Sequence, residues 1–256
     1  MLEARDVTFA AGGKTLLQET TVSFEPGRFH VIMGANGAGK STLLKVLAGE
    51  EPLGSGTVSL DGRALHHYSK KDLALKRAVL SQHYNIAFPI TAWEIVLMGR
   101  YPHFKVNPGK EDLTICDQAM KTMEVEHLKE RDYQTLSGGE AQKVQMSRVL
   151  AQIHPTVENT KLLFLDEPVS HLDVKYQYQL LQVARTLSRK GVTVIAILHD
   201  INLAIAFADR LLFMKQGHIL YDLDRIGSLT PAIINETFDV ASRIIYPEGH
   251  QPVVLF

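Results

Sequence analysis

The sequence predicts an α/β fold built around a mostly parallel sheet, and three observations support this prediction. Continuous apolar runs such as Phe29–Met33 are typical of strands that are buried on both faces of a sheet. Stretches of helical pattern alternate with these runs, which places helices on both faces of the sheet. A chain of 256 residues is long enough to bury one large core that carries a smaller subdomain.

The composition excludes several classes of protein. Hydrophobic residues make up 45% of the chain and the formal net charge is -1, so no basic surface for nucleic acid is expected. No apolar run approaches the roughly 20 residues that cross a bilayer, and the charged start of the sequence lacks the apolar stretch of a signal peptide. The single cysteine, Cys116, excludes an internal disulfide, and we expect it to be a small packed side chain. We therefore expect a cytoplasmic protein.

The first part of the chain reads as short strands around one helix. The turn formers Gly12-Gly13, Pro26-Gly27 and Asp61-Gly62 separate the apolar stretches. The run STLLKVLAG predicts a helix that ends at Gly49. In chain order, the predicted strands are Leu2–Phe9, Thr21–Phe24, Phe29–Met33, Thr57–Leu60 and Arg77–Gln82.

From about Asn85 to Ile153 the pattern becomes helical and strands are hard to place. Three stretches have helical pattern and length, namely Trp93–Gly99, Leu113–Met123 and Glu140–Gln152. We predict a single domain, 1–256, in which the core comprises 1–84 and 154–256 and a helical subdomain comprises 85–153.

After this region the alternation of strand and helix resumes. Four apolar side chains of one stretch, from Leu180 to Leu187, fall on one face of a predicted helix. A turn at Gln216-Gly217 predicts two short strands in the C-terminal part. The predicted elements are strand Lys161–Leu165, helix Val174–Leu187, strand Val192–Leu198, helix Ile201–Ala208 and a helix near Ala232–Thr237.

A glycine-rich loop lies directly between the strand Phe29–Met33 and the helix that ends at Gly49. It matches the pattern G-x-x-x-x-G-K-[ST], whose glycines let successive backbone N–H groups point at one anion. The helix N-terminus adds a partial positive charge. We predict that Lys40 reaches the β- and γ-phosphates of ATP and that the Ser41 hydroxyl binds Mg²⁺. The predicted nucleotide-binding residues are Gly34, Ala35, Asn36, Gly37, Ala38, Gly39, Lys40, Ser41 and Thr42.

A second predicted site lies at the end of another buried strand. The run LLFLDEP places Asp166 and Glu167 at its carboxyl end, where ligands bind in open α/β sheets. Asp166 matches the carboxylate that holds Mg²⁺ in phosphate-loop enzymes. Glu167 points elsewhere and is free to polarise the attacking water, and an acidic N-cap is the structural alternative for this pair.

Further motifs complete a recognisable order. Leu136–Glu140 reads LSGGE before a helix, Gln82 ends a predicted strand, Ser170–Asp173 reads SHLD, and His199 follows VTVIAIL. With the two sites above, this order resembles that of the ATP-binding subunits of ABC transporters over nearly the whole chain. The resemblance implies a phosphate-loop NTPase core of the RecA-like type, with an N-terminal antiparallel β subdomain and an inserted α-helical subdomain.

The resemblance implies a role for each motif of the chain's own ATP site. Gln82 corresponds to the glutamine that contacts Mg²⁺ and reports nucleotide state to a membrane partner. The implied Mg²⁺ ligands are thus Ser41, Gln82 and Asp166. His199 corresponds to the switch histidine at the γ-phosphate and joins Glu167 and Gln82 as the catalytic set.

The resemblance also implies a second copy. Ser137, Gly138 and Gly139 correspond to the signature that binds the γ-phosphate of ATP held by the other chain, and Asp173 to the aspartate at the dimer seam. A helix N-terminus preceded by Ser-Gly-Gly is a second anion site, and one chain cannot place both loops on one phosphate. Two copies would therefore enclose two ATP molecules in a homodimer.

Three positions depart from the family pattern. Glu140 stands where glutamine is commoner, and His171 stands where a small residue is usual. Ala11 occupies the place of the aromatic residue that normally stacks on adenine. Phe9 lies on the same face of the predicted strand, where it fits a stacking role and a core position equally well.

The cargo prediction depends on similarity to one branch of the family. The stretch Gln82–Phe104, the polar insertion His154–Thr160 and the C-terminal PVVLF are together most similar to ATPases of haem importers. Importers of siderophores or vitamin B12 are the alternatives. We predict a peripheral subunit at the cytoplasmic face of the inner membrane, with permease subunits as partners, a periplasmic binding protein as an indirect partner and no nucleic acid.

One alternative belongs to another class, a soluble ABC ATPase that works on a scaffold for cluster assembly. A DNA-repair ATPase is excluded because its motifs flank a long coiled coil and none is present. The pair His66-His67 follows a turn, so solvated positions are expected rather than haem ligation. His103 is expected on the surface that docks the membrane subunit.

Overall fold

The computed structural model describes residues 1–82, 86–154 and 160–256. Its strands are β1 (Leu2–Ala11), β2 (Lys14–Phe24), β3 (Phe29–Gly34), β4 (Ser55–Leu60), β5 (Arg63–Ala64), β6 (Arg77–Leu80), β7 (Leu162–Asp166), β8 (Thr193–Ile197), β9 (Arg210–Lys215), β10 (His218–Leu223), β11 (Arg243–Ile245) and β12 (Val253–Leu255). Its helices are α1 (Lys40–Ala48), α2 (Lys70–Lys76), α3 (Ala92–Met98), α4 (Lys110–Thr122), α5 (Gly138–Ile153), α6 (Val174–Arg189), α7 (Ile201–Phe207) and α8 (Pro231–Phe238).

The larger sheet has six strands in the order β10-β9-β3-β8-β7-β6. Neighbouring strands from β9 to β6 run parallel, and only β10 joins by an antiparallel pairing, through a hairpin with β9. Every residue of β3, β7 and β8 is buried, as expected of strands covered on both faces. A second, antiparallel sheet has the order β2-β1-β4-β5. The predicted fold class is therefore confirmed.

Alternate residues of the central strands feed two hydrophobic cores on opposite faces of the larger sheet. Leu163, Leu165 and Val194 pack into the core that contains side chains of α3 to α7. Phe164 and Ile195 pack into the other core, which contains α1 and the antiparallel sheet. Both faces of the sheet are thus buried, which holds the carboxyl ends of its strands in fixed positions.

The described residues between β6 and β7 contain the α-helices α3, α4 and α5, in the stretch where the sequence predicts a helical subdomain. The helix α3 begins one residue before the predicted Trp93, because Thr91 and Glu94 form a capping box at its start. Residues 83–85 and 155–159 lie outside the described residues. The predicted boundary at 84/85 falls within the first of these ranges, and the boundary at 153/154 is close to the second, which contains most of the polar insertion. The subdomain division stays a prediction. Within the described ranges, none of the helices combines the length and hydropathy of a bilayer-crossing segment.

Several elements differ from the sequence-based expectation. Strand β2 begins at Lys14 rather than near Thr21, because it pairs along its whole length with β1. Helix α2 was not predicted; Ser69 caps it by accepting a hydrogen bond from the Asp72 N–H. Cys116 is buried as expected, and burial raises the pKa of its thiol to about 12.

A buried histidine lies in the strand that leads to the glycine-rich loop. The His30 side chain is fully buried, and its Nε2 lies 3.2 Å from the Glu25 carbonyl oxygen. Its Nδ1 is buried without a hydrogen-bond partner. Burial lowers the pKa of His30 to about 4, and the charges of Arg210 and Arg28 act in the same direction. The imidazole is therefore neutral in the folded protein at neutral pH.

We expect His30 to make stability fall in mild acid. Its pKa is about 4 when folded and about 6.5 when unfolded, so the unfolded chain takes up the proton first. The contribution of His30 to the free energy of unfolding is fully present above pH 6.5. It is lost as the pH falls toward 4, which lowers the free energy of unfolding by about 3 kcal/mol in all. Urea unfolding at pH 7.5, 5.5 and 4.5 should show a shallower loss for His30→Gln than for the parent chain. Parallel slopes for the two chains would contradict this assignment.

Candidate functional site

The glycine-rich loop connects β3 to α1 at the carboxyl edge of the larger sheet. Within it, the Lys40 ammonium donates hydrogen bonds to the carbonyl oxygens of Gly34 at 2.9 Å and Ala35 at 3.0 Å. Gly39 occupies the N-cap of α1 with φ 97°, so the first N–H groups of the helix meet no capping side chain from that position. The loop is thus curled around its lysine, with a helix N-terminus directed at the same space.

Two glycines of the loop are packed where a side chain would not fit. A Cβ on Gly34 would lie 2.2 Å from the Met214 carbonyl oxygen, and one on Gly39 would lie 2.8 Å from the Leu16 carbonyl oxygen. At Gly37 a Cβ would meet nothing within 4 Å, so this part of the loop borders open space. The backbone is therefore clamped on one side and accessible on the other.

The turn between β9 and β10 is hydrogen-bonded to the glycine-rich loop. The Gly217 N–H donates to the Ala38 carbonyl oxygen at 3.0 Å, and the Gly217 carbonyl accepts from the Gln18 N–H at 3.0 Å. Gln216-Gly217 is identified from the sequence only as a turn, and its contact with the loop was not predicted. The pattern of turn residues carries no information about this long-range contact.

The accessible side of the loop forms a cleft of about 210 Å³. Its lining contains the loop residues from Asn36 to Thr42, together with Leu16 and Glu167. Burial lowers the pKa of Lys40, while the charges of Glu167 and Asp166 oppose this shift. A lysine, backbone N–H groups and a helix N-terminus in one cleft fit a chain of phosphate groups.

The acidic pair lies beside this cleft, at the carboxyl end of β7. The Ser41 hydroxyl donates to Asp166 Oδ1 at 3.0 Å, which joins the loop to the strand. Burial raises the pKa of Asp166, and the charge of Glu167 adds to the increase. A hydroxyl and a carboxylate oxygen side by side suit the oxygen preference of Mg²⁺, whose charge would favour the ionised form of Asp166.

The three predicted catalytic residues are in contact, because Gln82 and His199 both meet the carboxylate of Glu167. The Gln82 amide Nε2 donates to Glu167 Oε2 at 2.7 Å, and His199 Nε2 lies 2.6 Å from Glu167 Oε1. Glu167 has a positive φ of 50°, an uncommon conformation for a residue with a side chain. Both carboxylate oxygens are thus engaged, and the side chain is held at the mouth of the phosphate cleft.

The structure places the signature residues elsewhere. Ser137 caps α5, and the Glu140 carboxylate accepts hydrogen bonds from the Ser137 N–H and hydroxyl, each at 2.8 Å. Glu140, the departure from the family pattern, therefore completes a capping box. Within the described part of the chain, the signature residues are absent from the lining of the phosphate cleft.

The signature instead lies against the SHLD segment of the same chain. A Cβ on Gly138 would lie 3.8 Å from the His171 Cβ, and one on Gly139 would lie 3.3 Å from the His171 carbonyl oxygen. Asp173 caps α6 by accepting a hydrogen bond from the Tyr176 N–H at 3.1 Å. The two halves predicted for a complete ATP site are thus separate surfaces of one chain.

The remaining candidate residues lie outside the phosphate cleft. Phe9 packs against the core beside the antiparallel sheet, whereas Ala11 is exposed at the end of β1, so a core position describes Phe9 better. His66 and His67 are exposed on a short 3₁₀ turn. His103 Nε2 lies 3.0 Å from the Gln152 carbonyl oxygen.

Comparison with known proteins agrees with this geometry. The family model described as ABC transporter matches residues 17–170. The chain is 42% identical to the hemin import ATP-binding protein HmuV of Rhodopseudomonas palustris, over 99% of this chain and 94% of that protein. It is 41% identical to the protein of the same name from Hahella chejuensis, over 100% of this chain and 99% of that protein.

Solved structures share the fold. A dimeric bacterial ABC transporter cassette, MJ0796, has a TM-score of 0.77 and 26% identity and covers 88% of this chain and 99% of the cassette. A putative metal-chelate type ABC transporter in an inward-facing conformation has a TM-score of 0.80, at 24% identity, over 99% of this chain and 96% of that chain. This chain belongs to the ABC transporter family, as an ATP-binding ATPase subunit.

Proposed function

We propose that this chain hydrolyses ATP to drive an importer that carries haem into the cell. The observation that carries the catalytic part is the convergence of Gln82 and His199 on Glu167 beside the phosphate cleft. The names of the full-length relatives support import and haem as the cargo.

The residues of the cleft divide into binding and catalytic groups. The loop N–H groups and Lys40 hold the phosphates of ATP and balance their charge. Ser41, Asp166 and Gln82 are the groups that would hold Mg²⁺, which when bound neutralises charge on the β- and γ-phosphates. The Ser41–Asp166 hydrogen bond already brings two of these groups together.

Glu167 acts on the attacking water. In this role its carboxylate accepts a proton from the water, whose oxygen forms a bond to the γ-phosphorus while the bond to the β–γ bridging oxygen breaks. The electron pair of that bond stays on ADP. His199 lies against the same carboxylate, and in this role its exposed imidazole would contact the γ-phosphate beside Glu167.

A second copy of the chain completes the site. Ser137, Gly138 and Gly139 form an anion-binding helix start that the chain's own cleft does not use. The dimeric cassette with the same fold supports an arrangement in which these residues cover the γ-phosphate in the other chain's cleft. Asp173 would then lie at the seam between the copies.

The importer assignment includes further partners. Permease subunits would bind this chain at the cytoplasmic face of the inner membrane, and a periplasmic binding protein would deliver cargo to them. An ATPase of this kind does not contact haem, so cargo identity depends on similarity to relatives rather than on a residue here. The import function of those relatives favours this assignment over an ATPase acting on a cluster-assembly scaffold.

The variant Glu167→Gln should bind ATP but hydrolyse it at least a hundredfold more slowly, because an amide is not a base. ATP should then hold the dimer closed, as measured by sedimentation together with phosphate release. Glu19→Gln, at an exposed position in β2, should behave like the parent chain. Turnover within a few-fold of the parent chain in Glu167→Gln would contradict the assignment of the base.

Cargo should be decided by stimulation of ATP hydrolysis in proteoliposomes that contain the cognate permease. Haem-loaded binding protein should raise the rate above that with empty binding protein, because the proposed import couples ATP hydrolysis to delivery of haem. Siderophore-loaded and vitamin B12-loaded proteins serve as the controls. Stimulation by one of these and not by haem would assign that compound as the cargo in place of haem, and the ATPase assignment would not change.

A further inference from the structure

The chain ends in a two-stranded sheet, residues 243–256, which we name the C-terminal ribbon. Strands β11 and β12 pair antiparallel, with Ile244 opposite Val254 and Ile245 opposite Val253. Val254 is buried and Ile244 packs against the same core. The inner face of the ribbon therefore belongs to the body of the protein.

The side chain of Asn202 in α7 also holds the ribbon against the body of the protein. The Asn202 amide donates to the Val254 carbonyl oxygen at 3.1 Å and accepts from the Val254 N–H at 2.9 Å. Asn202 lies in the first turn of α7, three residues after His199. Because α7 follows β8, its first turn lies at the carboxyl edge of the sheet, which is also the edge of the phosphate cleft.

The ribbon exposes apolar side chains at this edge. The exposed fractions are 45% for Ile245, 65% for Tyr246, 40% for Leu255 and 72% for Phe256. Exposed apolar residues concentrated in so short a segment mark a surface that another molecule covers. Aromatic residues are enriched at the centres of protein interfaces, and this segment provides two of them.

We propose that the exposed side of the C-terminal ribbon packs against a second copy of this chain in the ATP-closed dimer. This inference rests on the proposed function, in which the second copy closes over the carboxyl edge of the sheet. Val174, which follows the seam residue Asp173 at the start of α6, is also exposed at that edge. The helices α6 and α7 leave the neighbouring strands β7 and β8 and are in contact through Tyr178 and Phe207, so Val174 and the ribbon's anchor Asn202 lie at the same edge of the sheet.

The charges of the ribbon favour a protein partner over a lipid surface. It contains one arginine, Arg243, one glutamate, Glu248, and one histidine, His250. A segment that binds anionic lipid typically presents a cluster of basic residues, which the ribbon lacks. A second copy offers an apolar complement in its own ribbon and Val174, because a two-fold interface brings the same surface of both chains together.

The test uses full-length chain in the Glu167→Gln background, where ATP holds the dimer. Tyr246→Ser combined with Phe256→Ser should weaken the ATP-dependent dimer at least tenfold by sedimentation, because buried aromatic anchors dominate interface energies. Val106→Ser removes an equally exposed apolar side chain from another loop and should leave the dimer unchanged. Binding of a fluorescent ATP analogue to dilute monomer should be the same in all three chains.

An unchanged dimer dissociation constant in the ribbon variant would overturn the inference while leaving the proposed function intact. Absence of any ATP-dependent dimer in Glu167→Gln alone would instead count against the proposed function, and the inference would fall with it. A photo-crosslinking residue at position 246 gives a second measurement that does not depend on the folding of the double variant. ATP-dependent crosslinks between two copies support the inference, and their absence contradicts it.

Discussion

The order of the parallel strands is the constraint on which the ATP site depends. Strands β3, β8, β7 and β6 are consecutive neighbours, and their carboxyl ends meet at one edge. Each end supplies one component: the phosphate loop, His199, the Asp166–Glu167 pair and Gln82. These residues are far apart in sequence, and burial of the strands on both faces keeps their ends in register. The contacts that meet at Glu167 are a consequence of this order, because β7 lies between the strands that His199 and Gln82 follow.

Within the described residues, the same architecture keeps the signature out of the chain's own phosphate cleft. The signature at the start of α5 lies against the SHLD segment of its own chain rather than in its own phosphate cleft. Those contacts place the signature beside the segment that contains Asp173, and in the proposed dimer a second chain would meet both. Closure of the proposed dimer would bury apolar edge residues while it encloses the phosphates. Binding of ATP and burial of the apolar edge would then both favour closure of the dimer.

The sequence predicts most directly the parts of the candidate site whose chemistry is local. The phosphate loop, Asp166 and Glu167 follow apolar strands, and both the residue types and their neighbours signal phosphate and Mg²⁺ binding. Contacts between distant segments were not predictable in this way. Two examples are the hydrogen bond of Gly217 to the loop and that of Asn202 to Val254. Both depend on the topology of the fold, which turn residues and short apolar runs do not predict. Helix α2 was missed although Ser69 and Asp72 have capping-box spacing, because its short, lysine-rich sequence lacks apolar periodicity.

The central claim is that each ATP site contains parts of two chains, and mixing two inactive variants tests it most directly. Lys40→Ala removes the lysine of the phosphate loop, and Ser137→Arg blocks the signature, so neither purified variant should hydrolyse ATP. A heterodimer of the two contains one site with an intact loop from one chain and an intact signature from the other. The account predicts that ATP hydrolysis returns on mixing and rises with the concentration of the second variant. A mixture as inactive as its separate components would show that loop and signature must act within one chain.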